Sequence, residues 1–124
     1  MKKILTVSLF ACLASGCAAT NKDIYYWGDY SHSAYEYQSE PNEVSLAKHR
    51  NSLLEIIAKA PVSKKRVPPG IYAELAQLEI KQSNWENAKK YLQQEQMLFP
   101  ESSVLVQTML KMISSKETAS VEAN

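Results

Sequence analysis

The chain is poor in the residues that loosen or staple a fold. Of its 124 residues only three are glycine, five proline and two cysteine. So little glycine and proline excludes collagen-like and low-complexity classes, and the cysteines are too few for a disulfide scaffold. Two histidines and two cysteines also do not suffice for a self-contained zinc module, which usually takes four ligands. A surplus of one charge is missing as well: 14 basic against 13 acidic side chains leave +1, far from the basic field that holds nucleic acid. No apolar run reaches the ~20 residues of a membrane-crossing helix. Neither a Gly-rich phosphate loop nor a Gly-x-Ser-x-Gly turn is present. What remains is ordinary globular composition, 45% hydrophobic and 22% charged, enough for one small domain.

What is present begins with an address. Met1-Lys2-Lys3 is a cationic start, Ile4 to Leu13 is a short apolar run, and Ala14-Ser15-Gly16 supplies small residues before Cys17. That order is a secretory signal. Leu13-Ala14-Ser15-Gly16-Cys17 resembles the lipobox of bacterial lipoproteins, where only a thiol can form the thioether to glyceride. The resemblance implies a signal peptide over 1–16, lipidation of Cys17, and a lipidated tether over 17–23. Several acyl chains hold far more firmly than one, at ~0.8 kcal/mol per buried CH₂. Ala18, where an Asp would retain an enteric lipoprotein in the inner membrane, implies the outer membrane, with the domain facing the periplasm. Processing discards Cys12 and blocks Cys17, so no free thiol is expected. Lys2 and Lys3 leave too, which moves the side-chain balance to 12 − 13 = −1.

The aromatic-rich segment over 24–40 holds five of the seven tyrosines, and Gly28-Asp29 reads as a turn before a short helix from about Ser31. Pro41-Asn42 opens a helix from Glu43 to about Ala60. Its stripe is Leu46, Leu53 and Ile57, with Ala47, Leu54 and Ala58 beside them. Pro61 to Val67 reads as a basic loop. Pro68-Pro69-Gly70 sets up a second helix, Ile71 to Gln82. Ser83 and Glu86 have the spacing of a capping box for a third, which Pro100 stops after Phe99. Ser102 or Ser103 can cap a fourth helix running to about Lys116, and 117–124 is expected to be a flexible tail.

The expected fold is therefore all-α, with the helical body over 41–116. Its hairpin from Ile71 to Pro100 resembles a tetratricopeptide repeat: Tyr72, Leu75, Ala76, Ala88, Leu92 and Pro100 fall on pattern positions. Glu79 and Glu95 stand where that pattern has an aromatic and a small residue. Small Ala76 and Ala88 permit close approach of antiparallel helices, and Leu75, Trp85 and Leu92 fill the gap. A repeat array this short leaves apolar surface to cover. On the fourth helix Leu105, Met109 and Met112 line one face, and Val106, Leu110 and Ile113 another. Either the segment Tyr25 to Tyr37 folds back over the helices, or a partner covers them. The residues singled out as lid or partner contacts are Tyr25, Tyr26, Trp27, Tyr30, Leu105, Met109 and Met112.

Tyr26-Trp27-Gly28-Asp29-Tyr30-Ser31, together with Arg66 to Leu75, resembles an uncharacterised family of Gram-negative lipoproteins with a tetratricopeptide-like body. The resemblance implies genes beside a lipoprotein like the curli secretion channel, and so an outer-membrane assembly. The expectation is a non-catalytic adaptor bound to other envelope lipoproteins, curli-channel-like ones included, with a homo-oligomer also compatible. The alternative is a cell-wall-associated lipoprotein that recognises peptidoglycan or its synthases. No catalytic, cofactor or metal residues are assigned, and His32 and His49 lack partners at ligand spacing. Glu74 and Glu79 fall toward opposite sides of their helix, unlike paired acid-base carboxylates. Arg50 lies in an apolar stripe: its stem packs while the guanidinium reaches water, or it pairs with Glu79 or Glu95. Lys64-Lys65-Arg66 reads as a solvated loop, the other use being contact with anionic headgroups.

Overall fold

The computed structural model describes residues 23–123, so the expected signal peptide over 1–16 and Cys17 lie outside the described residues. Five α-helices follow one another: α1 Tyr30–Ser39, α2 Glu43–Val62, α3 Ile71–Lys81, α4 Trp85–Leu98 and α5 Ser103–Glu122, with a 3₁₀ turn at Pro100–Ser102 before the last. Among the described residues there is no named strand, only one parallel bridge that pairs Tyr25 with Arg66. None of these helices is long and apolar enough to cross a membrane.

The starts of α2 and α3 have identifiable causes. At α2 the Asn42 side chain accepts from Val44 N and Ser45 N while Ser45 Oγ accepts from Asn42 N, a reciprocal cap. Gly70 precedes α3 at φ +94°, a left-handed position that suits glycine. Its missing side-chain cap comes from elsewhere in the fold. Glu95 on α4 accepts from Gly70 N at 2.7 Å and from Ala73 N at 3.4 Å, setting a carboxylate on the start of α3.

The core falls into two clusters joined along α3. Leu53 and Ile56 from α2 meet Ile71, Leu75 and Leu78 from α3, with Tyr26, Tyr30 and Tyr37 packed against them. Ala76 and Ile80 on the other side of α3 meet Ala88 and Leu92 of α4 and Val106, Met109 and Ile113 of α5. Both alanines at the α3–α4 crossing are fully buried, as close helix approach requires. Tyr91 touches both clusters.

Several expectations are corrected. The buried line of α2 is Ser45, His49, Ser52, Leu53, Ile56 and Ala60. Leu46, Leu54 and Ile57 are half-buried beside it, and Ala47 and Ala58 are exposed. The helix is rotated because its first turns bury polar groups against polar partners. It also runs past Ala60 to Val62, carrying Pro61 in its last turn, so part of the basic loop is helical. No Ser83–Glu86 capping box forms: Ser83 is left-handed at φ +60°, and Asn84 precedes α4 without a side-chain cap. Ser102 likewise makes no cap to α5 and turns its hydroxyl toward Glu95. Finally, α5 does not stop near Lys116. It continues to Glu122, and Lys89 of α4 holds Glu117 at 2.8 Å, so the stretch expected as a tail is mostly helix.

Candidate functional site

The structure converges on a buried polar cluster and, beside it, an open groove. His49 projects from α2 into the junction of α1 and α3 and is 1% exposed. Its Nε2 lies 2.7 Å from Glu74 Oε1, and its Nδ1 lies 3.0 Å from Ser33 Oγ. The Tyr30 hydroxyl donates to Glu74 Oε2 at 2.9 Å. Tyr37 stacks on the imidazole, with ring centroids 5.9 Å apart and planes inclined by 14°, and Tyr30 lies tilted against it at 5.8 Å. Burial and the Glu74 carboxylate together push the Tyr30 phenol up to about 12, so it stays a donor.

Proton bookkeeping constrains this cluster. Nε2 faces a carboxylate and therefore carries a proton. The single proton of Ser33 then goes either to Nδ1 or to the Tyr30 carbonyl, which lies 3.1 Å away. In the second arrangement Nδ1–H donates to Ser33 Oγ and the ring is charged. Both fit one set of heavy-atom positions.

A serine, a histidine and a glutamate in line resemble a nucleophilic triad, but the geometry differs from one. Ser33 is 3% exposed inside α1, and it meets Nδ1 where triad serines meet Nε2. The cluster's evident work is to tie α1, α2 and α3 together by hydrogen bonds in a low-dielectric site.

The second polar cluster involves the two glutamates that depart from the repeat pattern. Glu79, 1% exposed, receives Arg50 through Nε at 3.2 Å and Nη2 at 2.6 Å, and Asn84 Nδ2 at 3.0 Å. Of the two readings of Arg50, the structure therefore shows the pairing with Glu79, although the arginine side chain keeps 33% exposure. The carboxylate raises the guanidinium's pKa, chiefly through the hydrogen bond. Glu95 is also 1% exposed and serves as the cap of α3. Both acidic departures are thus structural.

The groove lies between α3 and α5 and has a volume of about 930 Å³. Its floor and sides come from Ala73, Gln77 and Ile80 of α3, Trp85 of α4, and Leu105, Thr108, Met109 and Met112 of α5, while Tyr30 and Glu74 close one wall. Lys81 and Lys116 also line it. Leu105 is 49% and Met112 41% exposed, whereas Met109 is buried.

Four of the seven residues singled out from the sequence, Tyr30, Leu105, Met109 and Met112, share this groove. Tyr25, Tyr26 and Trp27 do not line it. Tyr26 packs on the α2–α3 core, Trp27 is exposed with its ring 5.5 Å from Tyr30, and Tyr25 is held under the Arg66 guanidinium. Sequence reasoning missed Ser33, His49 and Glu74 as a unit. Their separations of 16 and 25 residues leave no local signal. Among the described residues no group of three or more His, Cys, Asp or Glu side chains is placed to hold a metal ion.

No curated protein and no solved structure matches the chain. A family model described as a domain of unknown function, DUF4810, matches residues 24–109, from the first pairing with Arg66 to the groove face of α5. The chain belongs to the DUF4810 family.

Proposed function

We propose that the protein is an outer-membrane-anchored lipoprotein whose tetratricopeptide-like domain is a non-catalytic adaptor in a cell-envelope or secretion-related assembly. The groove carries this reading. Leu105 and Met112 present apolar surface to solvent on either side of buried Met109, and methionine adapts to irregular partner surfaces. The opposite wall, Tyr30 and Glu74, is held by the His49 cluster, so the groove is pre-formed and binding need not order it. The lipobox around Cys17 supports the anchor, and Ala18 the outer membrane.

Photo-crosslinking in cells from position 105 or 112, followed by mass spectrometry, tests the adaptor. Discrete envelope proteins should be recovered from these positions and not from exposed Asn87. Recovery of the uncrosslinked monomer alone would overturn it. Metabolic palmitate labelling tests the anchor separately: the label should be lost, and the protein released from the membrane fraction, in Cys17→Ser.

A further inference from the structure

We infer that the turn between α2 and α3 is a second membrane contact, a cationic and apolar patch that seats the domain on an anionic phospholipid surface. The inference rests on the anchor at Cys17 proposed above. It starts from where the chain enters the fold. Arg66 N donates to Ile24 O at 2.9 Å and Tyr26 N donates to Arg66 O at 3.0 Å, so the start of the described chain is pinned to this turn. Six residues separate Cys17 from Ile24, and even fully extended they span only roughly 20 Å. An acylated Cys17 therefore holds this edge within about one tether length of the bilayer.

The edge has the chemistry of an interfacial contact. Ile24 is 63% and Val62 83% exposed. Lys64 is exposed, Lys65 half-buried, and neither ammonium has a carboxylate partner among the described residues, unlike Lys48, Lys59 and Lys89. Arg66 lies between the Tyr25 and Phe99 rings, at 5.8 and 5.9 Å from their centroids, which stiffens the turn. With Asp23 beside Ile24 as the adjoining acidic residue, the edge remains cationic. Apolar side chains next to lysines suit the headgroup boundary, where lysine stems lie along apolar surface and ammonium groups meet phosphate.

Backbone geometry adds a further sign. Lys65 N donates to Ala60 O and Lys64 N to Pro61 O, a Schellman closure of α2 with Lys64 at φ +55°. Glycine is the usual residue there and lysine is strained. The strain is tolerated at the position that places an ammonium on the turn.

The test uses the acylated full-length protein, reconstituted in vesicles carrying a lipid-borne quencher. Fluorophores are attached through Val62→Cys or, at the start of α4 on the opposite edge, Asn87→Cys. On phosphatidylglycerol-rich vesicles the label at 62 should be quenched and the label at 87 should not; on phosphatidylcholine the difference should shrink. Lys64→Gly and Lys65→Gln should each lower the docked-to-undocked ratio about fivefold. Lys64→Gly relieves a strained residue, so its melting temperature should not fall, and lost docking cannot then be ascribed to unfolding. Equal quenching at 62 and 87, or quenching at 62 indifferent to lipid charge or to the lysines, overturns the patch. Intact mass reads the acyl chains on residue 17 independently. If they are absent the anchor reading fails, and the same vesicles with the added protein still decide the patch by the same comparison.

Discussion

The two halves of the core are built on different chemistry. Where α2 meets α3, apolar contacts share the interior with His49, Ser33, Ser45, Ser52 and Glu79. Where α3 meets α4 and α5, the hydrophobic cluster is alanine, leucine, isoleucine, valine and methionine, and buried polar chemistry is confined to Glu95 at the start of α3. The first half is closed over by the aromatic segment, with Tyr26, Tyr30 and Tyr37 packed on it. The second ends at the open groove with Leu105 and Met112 uncovered. Apolar packing is tolerant of exchange, whereas a buried polar cluster accepts only the partners that satisfy it. The half with polar contacts thus specifies a unique arrangement and supplies a rigid wall. The other half provides adaptable surface next to it.

That contrast can be broken most forcefully at Arg50. Arg50→Met leaves the Glu79 carboxylate buried with only Asn84 to satisfy it, and should cost about 3 kcal/mol in chemical denaturation. Arg50→Met with Glu79→Leu should recover most of the loss, because no charge is then left unpaired. If the single variant melts like the parent protein, the pair does not distinguish the two halves. Next in size, His49→Ala should cost about 2 kcal/mol by opening a cavity and removing the imidazole partner of Ser33 Oγ and Glu74 Oε1. Hydrogen exchange should quicken in α1 first and leave α4 and α5 near their original protection. Uniform loss of protection would mean that the halves unfold as one.

Alkaline titration sharpens the contrast more gently. The Tyr30 phenol has its folded pKa raised from 10.0 to about 12. The folded state therefore binds more protons than the unfolded state across that window. The contribution is fully present below pH 10 and is lost as pH rises toward 12. Tyr30→Phe should flatten the fall of stability there. It should not abolish it, because burial also raises the pKa of Tyr72. An unchanged slope would remove Tyr30 from the account. The smallest effect is expected at Ser52, whose buried hydroxyl has no hydrogen-bond partner. Ser52→Ala should leave stability equal or raise it by up to about 1 kcal/mol, and a clear loss in thermal melting would contradict this.

Much of the helical frame was legible in the sequence because its signals are local. Asn42 caps α2, Pro68-Pro69-Gly70 precedes α3, and Pro100 ends α4 where expected. The small residues Ala76 and Ala88 marked the α3–α4 contact before any coordinates. The failures fell where polar residues were buried. Ser45, His49 and Ser52 look like a solvated face, so the stripe on α2 was placed one position away. Glu79 and Glu95 read as flaws in a repeat pattern, yet each is a buried carboxylate with defined donors. Similarly, the capping spacing of Ser83 and Glu86 did not act, because Asn84 is drawn to Glu79 instead.

Composition, the starts of α2 and α3, the stop of α4 and the residues of the family resemblance rest on signals within a few turns of chain, and the amino-acid order alone was enough to determine them. The His49 cluster, the Arg50–Glu79 pair, the Glu95 cap and the seating of Ile24 against Arg66 join residues mostly 22 to 44 positions apart. Ser33 and His49 are closer in sequence, 16 positions apart, but sit on separate helices. Only the tertiary structure decided these. A buried polar side chain is stable only when its partner arrives, and which partner arrives depends on how the helices pack.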